Sequence, residues 1–203
     1  MAAELIVVAC HGPDWIQQCR DSLREQAPDA ATLFIDTSGS VAYGADVAIQ
    51  GGHPTGAYLW AYEQYAAFDR FLFTQDSMTA LTDPLPWFRE QLPERGAVAW
   101  GRFPMQWDSD EQVRWVRDQY PGVEASHGVF GPVFYTDRTS LSELARRRLL
   151  PKIPATRIEA QGTERAWAYA FAAAGMPVAG PEWNADAMRT GFGPFRKVFA
   201  GRP

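Results

Sequence analysis

Residues 4–10, ELIVVAC, form a near-continuous apolar run, and ATLFIDTSGS (31–40) forms a second one that runs into a Ser/Gly turn. Runs of this kind are typical of strands buried on both faces of a parallel sheet. Between them, apolar residues spaced four apart predict a helix over 14–27. Because a strand, a helix and a second strand follow in this order, the sequence predicts the first half of a doubly wound α/β sheet.

The rest of the chain continues this alternation of strands and helices. Apolar runs predict strands, and helical spacing with capping residues predicts helices. The predicted strands are 70–78, 96–104 and 128–138, and the predicted helices are 55–68, 84–92, 109–119, 140–150 and 164–175. Proline punctuates 151–162, which predicts a loop, and Gly and Pro recur through 179–203, which predicts an ordered, loop-rich wrap. We therefore expect a single domain of the α/β class, built on one mostly parallel sheet with helices on both faces.

Composition and motifs exclude several classes of protein. The sequence contains no run of 18 or more apolar residues, which a membrane-spanning helix would need. No integral membrane contact is therefore expected. The first strand occupies the place of a signal peptide, and two cysteines make no disulfide framework, which favours a reduced, cytoplasmic location. The chain lacks the G-x-G-x-x-G, G-x-x-x-x-G-K-[ST] and G-x-S-x-G motifs, so a dinucleotide-binding Rossmann enzyme, a P-loop NTPase and an α/β-hydrolase are not expected. The Ala/Arg/Gly/Pro-rich composition is typical of a GC-rich genome and favours a bacterial or phage source.

Polar residues stand where three predicted strands end. His11 follows the first strand, Asp36 and Ser38 follow the second, and residues 74–76 follow the third. Ligands of open α/β sheets bind at the carboxyl ends of the strands, which makes these residues candidates for binding. The alternative for each carboxylate is a turn residue that accepts hydrogen bonds from its own loop.

Four segments, taken in order, carry a resemblance to a known family. FIDTSGS (34–40) resembles a strand that closes on Asp and a Ser/Gly turn, and GGHPTGAYLWAYEQYA with DRFLFTQDSM (51–78, less two residues) resembles a Gly-initiated helix followed by a strand ending in a D-x-D motif. GVFGPVFYTDRTSLSEL (128–144) is similar to the strand and helix behind an acceptor site, and GTERAWAYAFAAAGMPV (162–178) to a helix that carries a catalytic base. Together they resemble family-2-type inverting glycosyltransferases over about residues 4–178, with the Asp-Gln-Asp-Ser wording of rhamnosyltransferase-like members as the nearest match.

The resemblance implies a GT-A-like fold, the nucleotide-diphospho-sugar transferase type. Residues 1–104 would form the nucleotide-sugar-binding half, residues 105–178 the acceptor and catalytic half, and 179–203 the C-terminal wrap. The residues implied to bind a nucleoside-diphosphate sugar donor are His11, Asp36, Ser38, Thr74, Gln75 and Asp76.

The D-x-D segment also implies a cofactor. Asp76 is the implied ligand of Mn²⁺ or Mg²⁺, which prefer carboxylate oxygen. This sequence departs from the family's pattern because Thr74 stands in the place of the first Asp. With only a hydroxyl and one carboxylate left, we expect the metal to bind weakly or to be dispensable.

Glu164 is the implied catalytic base. It matches the position from which a carboxylate would deprotonate the acceptor hydroxyl as that hydroxyl attacks the anomeric carbon. The alternative is structural, because an acidic residue in the first turn of a helix over 164–175 is stabilised by the helix dipole.

Charge is unevenly divided along the chain. Residues 1–137 hold 8 Lys and Arg against 19 Asp and Glu, whereas residues 138–203 hold 11 against 5. The basic third either faces an anion, such as a diphosphate, or neutralises the acidic surface of the protein itself. Seven basic residues of this third are candidates for binding phosphate. We select Arg147, Lys152 and Arg196 from them; the other four are Arg146, Arg148, Arg157 and Lys197.

The acceptor is the least defined part of the sequence-based hypothesis. Trp107 with Asp108 would line an acceptor pocket, since sugars stack on aromatic faces. Arg138, at a predicted strand end, would contact the acceptor or a phosphate. The alternative for Trp107 is a hydrophobic cluster under a long loop. A glycan, a protein side chain and a hydroxylated base in nucleic acid all remain possible acceptors.

The sequence therefore predicts an inverting glycosyltransferase, a hexosyl- or pentosyltransferase that uses a nucleoside-diphosphate sugar. The second hypothesis is a catalytically inactive nucleotide-sugar-binding or assembly protein of the same fold, for which Thr74 leaves room.

Overall fold

The structure is a computed structural model that describes residues 2–10, 13–39, 44–182 and 185–198. The strands are β1 (Glu4–Cys10), β2 (Ala31–Asp36), β3 (Val47–Ala48), β4 (Arg70–Gln75), β5 (Met78–Ala80), β6 (Ala97–Ala99), β7 (Arg102–Pro104), β8 (His127–Val129), β9 (Phe134–Asp137), β10 (Val178–Ala179) and β11 (Phe195–Lys197). The helices are α1 (Pro13–Gln26), α2 (His53–Gln64), α3 (Pro84–Arg89), α4 (Asp110–Arg117), α5 (Arg138–Arg146), α6 (Arg157–Ala173) and α7 (Ala185–Thr190).

Seven of these strands form the main sheet, in the order β10-β6-β9-β4-β1-β2-β3. All neighbours pair in parallel except at β9, which runs antiparallel to both β4 and β6. Two antiparallel ribbons, β5 with β11 and β7 with β8, stand beside the sheet. The predicted α/β class with a mostly parallel sheet is confirmed, and the ribbons are an addition to it.

The apolar run of β1 lies at the centre because both of its faces are covered. Ile6 and Val8 pack in a cluster with side chains of α1 and α3, whereas Leu5 and Val7 pack in a second cluster with side chains of α2 and α6. All four are at most 2% exposed. Helices therefore cover both faces, as the sequence predicts, and the polar ends of the strands are left at the edges of the sheet.

Each of the three other predicted strands is divided in the structure. The segment 70–78 turns at Asp76 and Ser77, so that β4 belongs to the main sheet and β5 to a ribbon. The segments 96–104 and 128–138 divide in the same way, into β6 and β7 and into β8 and β9. Apolar periodicity does not reveal these divisions, because both parts of each segment are extended and partly buried.

Helix α6 begins seven residues before its predicted start. Thr156 accepts a hydrogen bond from the N–H of Glu159 at 3.2 Å, and the Glu159 carboxylate accepts one from the N–H of Thr156. This capping box begins the helix at Arg157, so the predicted loop over 151–162 is wrong beyond residue 156. At its other end α6 stops at Ala173, two residues before the predicted end, and Gly175 follows with the positive φ of +71° that is common just after a helix.

The C-terminal residues return across the molecule. Val178 of β10 pairs with Ala97 at the edge of the main sheet, and β11 pairs with β5 next to the end of β4. The described part of 179–203 thus contains a short helix and a strand as well as loops. No helix in the described ranges is long and apolar enough to cross a membrane.

Candidate functional site

The carboxyl ends of β2, β1 and β4 lie side by side. Cys10 stands opposite Asp36, and Ala9 stands opposite Gln75, so the polar residues that end the three strands share one edge of the sheet. A cleft of about 700 Å³ opens at this edge, between the strand ends, the first turn of α2 and the first half of α6. Its lining includes Ser38, Gln75 and Glu164, three of the residues proposed from the sequence.

At the end of β2, Asp36 holds the loop that follows it. The residue is 3% exposed, and its carboxylate accepts a hydrogen bond from the N–H of Ser38 at 2.7 Å. This is an Asx turn, the structural alternative considered for Asp36. Ser38 is exposed and lines the cleft, and His11 lies outside the described residues. Asp36 is therefore a positioning residue for the turn that presents Ser38.

At the end of β4, three neighbouring residues have different surroundings. Thr74 is fully buried on the face that Leu72 shares, and its Oγ1 has no hydrogen-bond partner among the described residues. Gln75 points to the opposite face, lines the cleft and donates through Nε2 to the carbonyl of Gly131. The structure therefore does not bring Thr74 to the cleft, because the strand continues one residue beyond it.

Asp76 and Ser77 form the turn between β4 and β5. The N–H of Asp76 donates to the carbonyl of Ala9 at 3.1 Å, which continues the pairing with β1. Asp76 is 1% exposed and Ser77 is 5% exposed. The negative charge of Asp76 raises the pKa of the buried Cys10 thiol, after the larger effect of burial. A buried carboxylate therefore lies within electrostatic reach of Cys10, which lines the cleft.

Lys197 of β11 lies over this turn. Its Nζ is 3.5 Å from both Gln75 Oε1 and Ser77 Oγ, on either side of Asp76 in the chain. Burial lowers the pKa of Lys197, and Glu164 and Asp76 act in the opposite direction. Arg196, the candidate selected from the sequence, points to the other face of the strand, since Phe195 and Lys197 share a face. Of the two neighbouring cations in this segment, the structure therefore places Lys197, and not Arg196, beside Gln75 and Ser77.

Glu164 lies in the second turn of α6 and faces the cleft. Its Oε1 accepts a hydrogen bond from the N–H of Gly131 at 3.1 Å, and its Oε2 is 3.7 Å from a guanidinium nitrogen of Arg165. The side chain is 27% exposed. Burial raises the pKa of Glu164 above its usual value, although Arg165, Lys197 and the Gly131 N–H act against that rise. The predicted first-turn position is wrong, so the helix dipole does not account for this carboxylate.

Gly131 joins the three elements that bound the site. Its carbonyl accepts from Gln75, its N–H donates to Glu164, and a Cβ at its position would lie 3.2 Å from Lys197 Nζ. Its φ of +63° is also one that L side chains rarely adopt. Sequence reasoning did not select Gly131, although a Gly-Pro pair inside an apolar run was a signal for a break in the strand.

On the far side of Glu164, Arg165 organises the proposed acceptor residues. Arg165 is 5% exposed and donates to the carbonyls of Gln106 and Gln161 at 2.8 and 3.0 Å. A further nitrogen lies 3.4 Å from Asp108 Oδ2, and its guanidinium carbon lies 5.9 Å from the Trp107 ring centroid. The structure therefore brings Trp107 and Asp108 together beside the residue that follows Glu164.

Two predicted ligand-binding arginines lie elsewhere. Arg138 is at the opposite edge of the sheet, where it donates to the carbonyls of Tyr62, Tyr65 and Phe68. The strand-end argument failed because β9 is antiparallel, so its carboxyl end lies at the other edge. Arg147 donates to two carbonyls at the far end of α6. Both side chains therefore cap the C-terminal ends of helices, Arg138 at α2 and Arg147 at α6.

Lys152 and His53 complete the placement of polar residues. Lys152 is exposed, and its backbone N–H donates to Gln119 Oε1 at 2.8 Å. No contact joins the Lys152 side chain to the cleft among the described hydrogen bonds and ion pairs. His53, which the sequence analysis did not select, begins α2 with φ +49° and lines the cleft. A non-glycine residue in this conformation is strained, which identifies His53 as a further candidate for binding.

A second cleft lies at the opposite edge of the sheet and has a similar volume, about 680 Å³. Three of its charged residues, Glu4, Arg70 and Arg89, are paired with one another, and Asp83 caps α3 by accepting from the N–H of Leu85. The carboxylate of Glu4 accepts from Arg89 at 2.9 Å and from the hydroxyl of Tyr135. Since these contacts engage most of its charged groups, and since ligands of α/β sheets bind at the carboxyl ends of strands, we assign the functional site to the carboxyl edge.

The residues at the carboxyl edge do not fit a divalent metal well. No group of three or more His, Cys, Asp or Glu side chains suited to a metal is present within the described ranges. Asp76 supplies one carboxylate, and the ammonium of Lys197 lies over the same turn. Mg²⁺ and Mn²⁺ need several oxygen ligands, and a fixed ammonium repels a cation.

Comparison with solved structures identifies the fold. The chain is similar to the catalytic domain of Drosophila beta1,4-galactosyltransferase 7 in complex with xylobiose, with a TM-score of 0.52 and 9% identity over 97% of this chain and 71% of that one. A mutant of the same enzyme, in complex with manganese, UDP-Gal and xylobiose, gives a TM-score of 0.50 and 10% identity over the same shares. No protein-family model and no curated protein matches the sequence. The chain therefore has a GT-A-like glycosyltransferase fold, as the sequence predicts.

Proposed function

We propose that this protein is an inverting glycosyltransferase that moves a sugar from a nucleoside diphosphate to an acceptor hydroxyl. One observation carries the proposal: Glu164 and Gln75 meet at Gly131, so a carboxylate with a raised pKa faces the strand end at which α/β proteins bind ligands. A second observation supports it, since the fold is that of GT-A glycosyltransferases.

The donor would bind along the carboxyl edge of β1, β2 and β4. Ser38 and His53 line the part of the cleft beside β2, where the nucleoside would lie. Gln75 and the turn at Asp76 would face the diphosphate. His11 follows β1 and is retained as a proposed donor contact from its place in the sequence. A UDP sugar is the first donor to test, because the galactosyltransferase neighbour binds UDP-Gal.

Glu164 would act as the general base. Its carboxylate removes the proton from the acceptor hydroxyl while that oxygen forms a bond to the anomeric carbon. The bond between the anomeric carbon and the diphosphate oxygen breaks on the opposite face, and the electron pair leaves with the nucleoside diphosphate. One displacement of this kind inverts the anomeric configuration. A base with a raised pKa is better matched to this transfer than an ordinary glutamate.

The acceptor would lie beside Trp107, Asp108 and Arg165. The half-buried Trp107 ring offers an apolar face, and the Asp108 side chain is 66% exposed and able to accept hydrogen bonds from hydroxyls. Such a combination suits a sugar, and the neighbouring galactosyltransferase is seen with xylobiose. Among the possible acceptors we therefore favour a glycan over a protein side chain or a hydroxylated nucleobase.

The second candidate function is nucleotide-sugar binding without transfer. The observation that favours it is the pairing of Glu164 with Arg165, which stabilises the ionised carboxylate and weakens it as a base. A transfer assay separates the two functions. Wild-type protein is mixed with a nucleotide sugar that binds and with a panel of glycans, and nucleoside diphosphate release is measured. Release that Glu164→Gln abolishes supports the transferase, whereas tight binding without release supports the binding protein.

A further inference from the structure

The backbone of β11 fixes Lys197 next to the turn that follows β4. Lys197 pairs with Met78 in the antiparallel ribbon, and the N–H of Val198 donates to the carbonyl of Ser77 at 2.8 Å. The side chain therefore starts from a strand rather than from a free loop, and its direction is set by the alternation of the strand. Phe195, two residues earlier on the same face, is 1% exposed and anchors the ribbon in the core.

The direct contacts of the Lys197 ammonium are with neutral groups, while the carboxylates of Glu164 and Asp76 lie within electrostatic reach and partly offset the effect of burial on its pKa. Gln75 Oε1 and Ser77 Oγ lie 3.5 Å away, at the limit of a hydrogen bond, and the Phe130 ring centroid lies 5.5 Å away. None of the ion pairs within 4 Å in the described ranges includes Lys197. A half-buried cation that has no direct ion pair in these ranges is stabilised further by an anion that reaches it, and its neighbour Gln75 lines the cleft.

Gly131 leaves the space that the lysine uses. A Cβ at position 131 would lie 3.2 Å from Nζ, closer than most side chains approach. The glycine thus allows the ammonium to approach Gln75, while its own N–H and carbonyl stay bonded to Glu164 and Gln75. The result is a positive charge above Asp76 and beside the general base, where the diphosphate of a donor would lie.

We propose that Lys197 supplies the positive charge that neutralises the diphosphate of the donor, so that donor binding and transfer need no divalent cation. This inference rests on the proposed function and deepens it, since it replaces the implied Mn²⁺ or Mg²⁺ with a group of the chain itself. A lysine ammonium is a compact point charge with three donors, which suits phosphate oxygens. A positive charge supplied by Lys197 would also explain why the turn after β4 carries only one carboxylate, that of Asp76.

The test measures nucleotide binding with and without metal. Wild-type protein is treated with EDTA, and the affinities for UDP, GDP, dTDP and inorganic pyrophosphate are measured by calorimetry before and after addition of Mn²⁺. We expect at least one nucleoside diphosphate to bind in EDTA with an affinity that Mn²⁺ changes by less than about threefold. Lys197→Met should weaken that binding at least tenfold, which corresponds to about 1.4 kcal/mol.

Two further variants make the test specific. Arg196→Met removes the neighbouring cation on the opposite face of the same strand and should leave the affinity within twofold of wild type. Lys197→Arg keeps the charge and should retain more of the affinity than Lys197→Met. Unfolding midpoints of all three variants show whether β11 still packs, and Lys197→Gln replaces Lys197→Met if the latter does not fold.

The outcomes separate this inference from the proposed function. Binding that appears only when Mn²⁺ is added overturns the role of Lys197 and leaves the glycosyltransferase proposal in place. Equal affinities of Lys197→Met and wild type in EDTA also overturn it. If no nucleoside diphosphate or nucleotide sugar binds under either condition, the proposed function itself fails, and the inference fails with it.

Discussion

The carboxylate of Glu164 and the backbone N–H of Gly131 are joined by a hydrogen bond of 3.1 Å. This contact fixes a carboxylate from the middle of α6 beside the end of β4, since the carbonyl of Gly131 also accepts from Gln75. A group on a helix and a group on a strand are thereby placed with respect to each other by one residue of a loop. The chemistry proposed for the site depends on this arrangement.

Replacement of Glu164 tests its role as general base. Glu164→Gln keeps an oxygen for the Gly131 N–H but cannot take a proton, so turnover should fall by about 10²–10⁴-fold while donor affinity stays nearly unchanged. Glu159→Gln in the same helix is the matched control, because glutamine also completes a capping box. Steady-state rates and donor affinities of both variants decide the matter. A collapse of donor affinity in Glu164→Gln would make Glu164 a structural residue.

The pH dependence of turnover follows from the same group. Burial raises the pKa of Glu164, so the acidic limb of the rate profile should have its midpoint above the usual 4.5. Activity should rise with pH through that midpoint, because only the ionised carboxylate accepts the proton. Rates measured from pH 4 to 8 with a saturating donor test this expectation. A limb centred at or below 4.5 would show that the acid group in control is not Glu164.

Stability should change with pH in the opposite direction. Above pH 4.5 the carboxyl of Glu164 binds fewer protons in the unfolded chain than in the folded protein, so its contribution to the free energy of unfolding falls as pH rises through the raised pKa. Glu164→Gln lacks this term. The unfolding midpoint of the variant, relative to wild type, should therefore be higher at pH 8 than at pH 4. A difference that is constant with pH would contradict the shifted pKa.

Replacement of Thr74 tests whether position 74 is buried in the core, as the structure shows, or faces the cleft. Thr74→Val removes a buried hydroxyl that has no partner among the described residues and should leave stability unchanged or raise it by about 1 kcal/mol. Thr74→Asp restores the family's D-x-D wording but buries a charge in the core, and should lower the free energy of unfolding by about 3 kcal/mol or more. Chemical denaturation of both variants measures these changes. A stable Thr74→Asp protein with new Mn²⁺ dependence would show that position 74 reaches the cleft after all.

Replacement of Arg138 tests whether this residue caps α2, as the structure indicates, or contacts the acceptor, as the sequence suggested. Arg138→Met leaves three carbonyls near the end of α2 without their donor and should cost about 1–3 kcal/mol of stability. Donor and acceptor affinities should not change, because the residue lies at the opposite edge of the sheet. Denaturation and binding measurements on the same variant test both statements. A specific loss of acceptor affinity would return Arg138 to the site.

Local patterns predicted the parts of the fold that depend on local structure. The run at 4–10, the helix after it and the run at 31–36 appear as β1, α1 and β2, because buried parallel strands are continuous apolar segments. The same logic placed Gln75 and Ser38 at the cleft. The start of α6 was missed although Thr156 and Glu159 have capping-box spacing, because Pro151 and Pro154 suggested a loop.

The remaining features depend on pairings between distant residues. The direction of β9 is set by its partners β4 and β6, and no property of residues 134–137 reveals it, so the position of Arg138 was misjudged. Lys197 meets Gln75 across 122 residues through the register of β11 on β5. A one-residue shift of that register would present Arg196 instead. Only the folded chain decides which of the two cations lies beside Gln75.

The most direct test of the central claim is a thermal unfolding panel with UDP-, dTDP- and GDP-sugars, with a CMP-sugar as the monophosphate comparison. A nucleotide sugar present at about 100 times its dissociation constant stabilises a fold by roughly 2.7 kcal/mol, or about 5–10 °C for a domain of this size. We predict a selective shift of this order with one diphosphate donor, and a similar shift in Glu164→Gln. The absence of a shift with every donor, at concentrations up to several millimolar, would contradict the proposal that this cleft binds a nucleotide sugar.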